Sequence, residues 1–149
     1  MNAKECCNRE VLVISKDQTP LDAARLMRQH HIGSVVIVEE CNGGKRPVGL
    51  VTDRDIAIEV VAEEVDPNEV SVLDITRRPL MLANESDALS DCLTLMKQKG
   101  VRRLPIVDAE GILVGILSLD DIVELVAEQL NDLVSLIKHQ PQKEQSMTV

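Results

Sequence analysis

Gly49-Leu50-Val51-Thr52-Asp53-Arg54-Asp55-Ile56 and Gly115-Ile116-Leu117-Ser118-Leu119-Asp120-Asp121-Ile122 are two copies of one pattern. Each has a glycine, two aliphatic residues, a hydroxyl residue and, three positions on, an aspartate. The likeness spreads outward. A slide of 69 positions lays Val11-Leu12-Val13-Ile14 on Leu80-Met81-Leu82-Ala83, Leu26-Met27-Arg28-Gln29 on Leu95-Met96-Lys97-Gln98, and Val35-Val36-Ile37-Val38 on Leu104-Pro105-Ile106-Val107. Glu5-Cys6-Cys7 falls on Asp74-Ile75-Thr76, so the unit opens a few residues before its first strand. The chain is a duplicated unit, a pseudo-twofold pair whose period is too long for a solenoid. Its parts are repeat 1 (5–62), a polar connector (63–73) containing Pro67, repeat 2 (74–130), and a helical extension with a polar, disordered tail (131–149).

Each repeat reads strand, helix, strand, strand, helix, an α/β (α+β) β-α-β-β-α unit packed with its twin as one module. The aliphatic runs Val11–Ile14 and Leu80–Leu82 suit short buried strands. Pro20 is an acceptable first-turn residue for a helix reaching His30, and Ser86 or Asp87 is the expected cap of its counterpart. Asn42-Gly43-Gly44 and Asp108-Ala109-Glu110-Gly111 supply the turn residues of two hairpins. One further helical turn is expected over Val70–Ile75. The last helix carries an apolar stripe, Ile122, Val126, Leu130, Leu133 and Ile137, that outruns the repeat. It can pack on its own domain or on a second copy; we expect the homodimer.

Composition removes whole classes of function. With 25 Asp+Glu against 16 Lys+Arg, a net charge of −9 and no Phe, Tyr or Trp, the chain has neither a basic footprint nor base-stacking platforms, so nucleic acid is not expected. No aliphatic run approaches the ~20 residues of a membrane span. The start, Met1 to Cys7, has no apolar signal core, so a cytoplasmic protein is expected. The cysteines form no Cys-x-x-Cys pair and no zinc-like spacing with histidine, so no metal site is expected. Adjacent Cys6 and Cys7 can be read as a thiol pair or as two small, soft side chains. His30 and His31 read as cations near a helix C-terminus. No nucleophile–base arrangement and no Walker loop is present, so an enzyme is not expected.

The repeated motif has a plain reading: Thr52 or Ser118 caps a helix, with an acid three residues on as in a capping box. The same geometry can bind. Free N–H groups at a helix N-terminus favour phosphate, the hydroxyl adds a donor, and the carboxylate of Asp55 or Asp121 can accept two hydrogen bonds from a ribose diol. Val35, Val36, Leu104 and Pro105 can floor a purine site without aromatic help.

Val51-Thr52-Asp53-Arg54-Asp55, Val101-Arg102-Arg103-Leu104-Pro105-Ile106-Val107-Asp108 and Gly115-Ile116-Leu117-Ser118…Asp121 together resemble a tandem pair of CBS domains, the regulatory repeats named after cystathionine β-synthase. The resemblance runs from about Glu5 to Leu130. It implies a pseudo-twofold module, commonly dimeric, that binds adenosine-containing ligands (AMP, ADP, ATP, S-adenosylmethionine, sometimes NAD) in its clefts. It further implies Asp55 and Asp121 on ribose, Thr52 and Ser118 on phosphate or ribose, and the backbone near Val35-Val36 and Leu104-Pro105 on adenine. Thr76 to Leu80, including Pro79, would line the second cleft. With no second domain recognised in the chain, the signal would pass to a separate effector protein.

The copies are not identical. Arg102-Arg103 stands where repeat 1 has Gly33-Ser34, Arg54 where repeat 2 has Asp120, and Arg77-Arg78 where repeat 1 has Asn8-Arg9. In an acidic protein such local arginines are candidate phosphate partners. The cleft of Ser118 and Asp121, with Arg102 or Arg103 nearby, is therefore expected to take the more anionic ligand.

Overall fold

The computed structural model describes residues 1–76 and 78–147, with side chains up to His139. Chain order is α1 (Ala3–Cys6), β1 (Val13–Ser15), α2 (Pro20–His30), β2 (Ser34–Cys41), β3 (Gly44–Thr52), α3 (Asp53–Ile56) running into a π-helical turn (Ala57–Val61), β4 (Ala83–Asn84), α4 (Leu89–Lys99), β5 (Arg103–Val107), β6 (Leu113–Ser118) and α5 (Leu119–Met147). The strands form two sheets, β1-β2-β3 and β4-β5-β6, each with a parallel first pair and an antiparallel second. Both hairpins shift register at equivalent places, Ile37/Val38 and Ile106/Val107, so the duplication extends to a bulge.

The α/β repeat architecture is as expected, and α2 has the expected bounds. Thr19 caps it reciprocally with Asp22, and its C-cap is His31 at φ 53°, where α4 has Gly100 at φ 65°. Three local expectations need correction. The strands begin later than the aliphatic runs, at Val13 and Ala83, because parallel pairing with the neighbouring strand starts there (Val13 with Val36, Ala83 with Ile106). Neither Ser86 nor Asp87 caps α4. The Asp87 carboxylate accepts from the Asn84 N–H (2.9 Å), the Ser86 hydroxyl donates to the Asn84 side-chain oxygen (2.8 Å), and the N-cap position belongs to Ala88. The Leu89 N–H donates instead to the Met1 carbonyl (3.0 Å), so a distant backbone segment does a side chain's work. Over Val70–Ile75 the expected helical turn is a pair of tight turns, closed by Asp74 N–H to Ser71 O (3.1 Å) and Thr76 N–H to Leu73 O (3.2 Å).

The opening segments of the two repeats are exchanged. Ala3, fully buried, belongs to the second repeat's core with Ala83, Leu89, Cys92, Met96, Leu104, Ile106, Leu117 and Ile122. Val72 and Ile75 belong to the first repeat's core with Ile14, Ala23, Met27, Val35, Ile37, Val51 and Val60. Backbone bonds fix each exchange. Ala3 N–H donates to Asp87 O (2.9 Å), Asn8 and Ile116 bond mutually (2.8 and 2.9 Å), and Val72 N–H donates to Gln18 O (2.8 Å).

Helix α5 begins on the domain and leaves it. Ile122 is buried. The stripe expected from Ile122 onward therefore divides: Ile122 packs in its own core, while Val126, Leu130, Leu133 and Ile137, joined by Val123, are each at least half exposed. The helix continues beyond His139 to Met147, where the sequence suggested a disordered tail; side chains from Gln140 onward, and residues 148–149, lie outside the described residues. Among the described residues no helix is long and apolar enough to cross a membrane.

The glycine that opens the second motif is explained by close approach. A Cβ on Gly115 would stand 2.6 Å from Cys7 Sγ and 2.8 Å from Asn8 O. We predict that Gly115→Ala destabilises the protein by about 1–3 kcal/mol through overpacking, measured by urea unfolding; an unchanged midpoint would contradict the exchanged packing.

Candidate functional site

A cleft of about 620 Å³ opens between the repeats. Repeat 1 contributes Gly33, Ser34, Leu50, Thr52, Asp53, Arg54, Asp55, Ile58 and Glu59; repeat 2 contributes Arg78, Pro79, Leu80, Met81, Gly100, Val101, Arg102 and Arg103. Strand β3 delivers the chain to α3 at this wall. Thr52 is the N-cap: its hydroxyl accepts from the Asp55 N–H (3.1 Å), and Asp55 Oδ2 accepts from the Thr52 N–H (2.9 Å). The plain capping reading thus holds in full. It occupies one carboxylate oxygen of half-buried Asp55 and leaves Oδ1 for another donor. Repeat 2 has half of this arrangement: the Asp121 N–H donates to Ser118 Oγ (3.1 Å).

Ser34 sits opposite Thr52 in the β2–β3 register. It is 3% exposed, and among the described residues its hydroxyl has no hydrogen-bond partner. A buried hydroxyl without a partner costs on the order of 1–3 kcal/mol. At a cleft wall that cost is relieved by any ligand offering a polar atom. Sequence patterning missed Ser34 because serine before a Val/Ile strand carries no distinguishing signal. Its position on the cleft follows only from the pairing of β2 with β3.

Four arginines face this space. Arg54, Arg78 and Arg102 are exposed, Arg103 half-buried. Arg102 makes an ion pair with Asp120 at 3.6 Å, both side chains more than 70% exposed. Such a pair is weak and screened, so it restrains Arg102 little. Asp53, Asp55 and Glu59 line the same cleft, so the arginines do not make a uniformly positive wall.

These positions redistribute the expected site residues. Thr52, Asp55, Arg54, Pro79, Leu80, Arg102 and Arg103 are brought together. Arg102 and Arg103 do lie near Ser118, as expected: Arg103 pairs with Ser118 across β5–β6 and the Leu119 N–H donates to the Arg102 carbonyl (2.9 Å); both arginines also line the cleft of Thr52 and Asp55, which was not expected. Val35, Val36, Leu104 and Pro105 do not line it. All four are fully buried, because a strand covered on both faces turns its aliphatic side chains into the cores. Thr76 is also outside the cleft lining; its hydroxyl donates to the Val72 carbonyl (2.7 Å). Arg77 lies outside the described residues. Leu50, Ile58 and Met81 are the apolar lining that the sequence did not single out.

Cys6 and Cys7 are half-buried against the second core, and burial pushes both thiols above the ordinary cysteine value. A raised thiol pKa keeps the neutral form and starves thiolate chemistry. Among the described residues no group of three or more His, Cys, Asp or Glu side chains could hold a metal.

Two β-α-β-β-α repeats exchanging their opening segments around an inter-repeat cleft define a tandem module. The CBS domain profile matches residues 3–62 and 72–128. The chain belongs to the CBS-domain family, as a pair of such domains. It is 35% identical over 141 residues to the CBS domain-containing protein YhcV of Bacillus subtilis, covering 93% of this chain and 96% of that one. It is 40% identical over 121 residues to an uncharacterized protein of Methanopyrus kandleri, covering 81% of this chain but spanning only 60% of that protein's length. The crystal structure of Hypoxic Response Protein I, which holds two coordinated zinc ions, superposes with a TM-score of 0.73 at 31% identity, covering 83% of this chain and 98% of that one. The CBS domain pair of protein MJ0100, solved with 5′-methylthioadenosine and S-adenosyl-L-methionine, shares the fold at TM-score 0.72 and 23% identity, covering 87% of this chain and 98% of that one.

Two outcomes are expected. Ser34→Ala removes an unsatisfied buried hydroxyl and should leave the ligand-free protein as stable as the parent or up to ~2 kcal/mol more stable; a loss above 1 kcal/mol in urea unfolding would show that the hydroxyl has a partner. Maleimide labelling of Cys6 and Cys7 should accelerate only above the pH at which a free cysteine, of pKa about 8.5, does so; rapid labelling at pH 7 would refute the burial effect.

Proposed function

We propose that the chain is a non-catalytic regulatory module, working as a homodimer, that takes a phosphorylated adenosine ligand (AMP, ADP, ATP or NAD) in the cleft of Thr52 and Asp55 and signals its presence to a separate effector protein. The observation that carries this reading is the unpartnered Ser34 hydroxyl on a cleft that also gathers Arg54, Arg78, Arg102 and Arg103 in a protein of net charge −9. Arginine presents several donors to phosphate and stays charged at any working pH. In this reading the free oxygen of Asp55 accepts from a ribose hydroxyl. Ser34 and Thr52 lie beside it, and Leu50, Ile58, Pro79, Leu80 and Met81 enclose the base. The adenosine ligands of the MJ0100 domain pair support the nucleoside half of the reading. The arginines favour phosphates over the sulfonium of S-adenosylmethionine.

A ligand held by both repeats would favour one placement of them relative to each other. That supplies the differential contact an effector needs, on the usual coupling scale of roughly 1–3 kcal/mol.

Because the chain has no Trp or Tyr, any co-purifying nucleotide would dominate its absorbance near 260 nm. Calorimetric titration of stripped protein should show binding of at least one of AMP, ADP, ATP or NAD, and saturation at 100 times Kd should stabilise the fold by about 2.7 kcal/mol. Arg103→Ala and Asp55→Ala should each weaken binding at least tenfold. Silence towards all four, with dimerisation intact, would leave a structural dimerisation module with little nucleotide affinity.

A further inference from the structure

Outside the cleft, the largest unexplained feature is the outer part of α5. Val123, Val126, Leu130, Leu133, Val134, Leu136 and Ile137 are between 39% and 68% exposed. Together they make an apolar face on the order of several hundred Å², above what a monomer ordinarily leaves in water. From Val126 to His139 every described residue is exposed, and apart from a Gln129 Nε2–H bond to Met1 Sδ (3.8 Å) this stretch is little covered by the domain. A solitary helix of such length is marginal in water, because most helical stability comes from burying an apolar face. Something covers it.

The spacing says what kind of surface fits. Val123, Val126, Leu130, Leu133 and Ile137 recur at intervals of three, four, three and four. That is the seam of a coiled coil, distinct from the stripe that begins with the buried Ile122. The positions flanking the seam, Ala127, Gln129, Val134 and Leu136, carry no charge; Glu124, Glu128, Asp132 and Lys138 lie on the outer positions. In a protein of net charge −9, a stripe with uncharged flanks is what two identical copies can bring together without like-charge repulsion.

Charge also sets direction. The part of α5 nearer the domain carries Asp120, Asp121, Glu124 and Glu128; the far part carries Lys138 and His139. Parallel pairing would align acid with acid and crowd two acidic domains at one end. Antiparallel pairing sets Val126 against Ile137 and Leu130 against Leu133, so that each layer joins the two seam positions; it also lays the acidic half of each helix beside the basic end of the other and opposes the helix dipoles.

We propose that α5 joins two copies of this chain as an antiparallel coiled coil along Val123, Val126, Leu130, Leu133 and Ile137, with the domains at opposite ends. This rests on the homodimer part of the functional reading and adds the surface and its direction.

Sedimentation equilibrium of the full chain should give twice the chain mass. The double variant Leu130→Glu/Leu133→Glu should give the single mass with far-UV circular dichroism and nucleotide-induced stabilisation retained. Oxidising mixed Val126→Cys and Ile137→Cys chains should yield the 126–137 disulfide by peptide mass spectrometry, and neither variant alone should cross-link through its new cysteine. A parent that stays monomeric would overturn both this proposal and the homodimer. A double variant that stays dimeric would overturn the seam alone, and a 126–126 disulfide would overturn the direction. Nucleotide binding is scored separately, so its failure would count against the cleft and not against the helix.

Discussion

Neither repeat closes its core without a segment that belongs, by sequence, to the other. Ala3 completes the second core and Val72 the first, each with no exposed surface. Three-stranded sheets as short as β4-β5-β6 cannot cover both faces alone, and small domains bury too little of their chain to be stable. Exchange solves this by giving each half part of its neighbour's chain. It also makes the halves inseparable, since undocking them would open both cores. Gly115 has the same origin: its bare Cα is the space through which Cys7 and Asn8 pass.

The cleft follows from that constraint. Because the chain from Asp74 to Ala83 must travel from the first core to its own strand, Arg78, Pro79, Leu80 and Met81 run along the wall of repeat 1. They bring a cation and apolar surface to a wall that already ends in the α3 cap. The loop from Gly100 to Arg103 adds the remaining cations. In the proposed function, a ligand in a site assembled this way would touch both repeats and so respond to their relative placement. On this cleft the Ser34 hydroxyl is buried without a hydrogen-bond partner among the described residues.

Much of the fold was legible in the residues. The duplicated motif, the bounds of α2, both hairpins and the helix starts at Asp53 and Leu119 followed from periodicity, proline placement and turn residues, all local properties. The site was legible in part. Thr52 and Asp55 stood out because a cap motif repeated in register is a spacing signal. The arginines stood out because they broke the symmetry between the copies. Which arginine faces which aspartate was not legible, since strand order and crossover decide it. Whether Val35, Val36, Leu104 and Pro105 floor a cleft or fill a core was not legible either, because aliphatic strands look alike in both places; their side chains are buried in the structure.

By itself, then, the sequence determined the repeat, its elements and the chemistry each motif offers, since these depend on residues within a turn or a strand of one another. Only the tertiary structure decided that α4 is capped by the Met1 carbonyl, that Ser34 is stranded without a partner, and that the second repeat's arginines line the first repeat's cleft. Those facts arise from contacts between segments far apart in the chain, and no local pattern encodes where such segments meet.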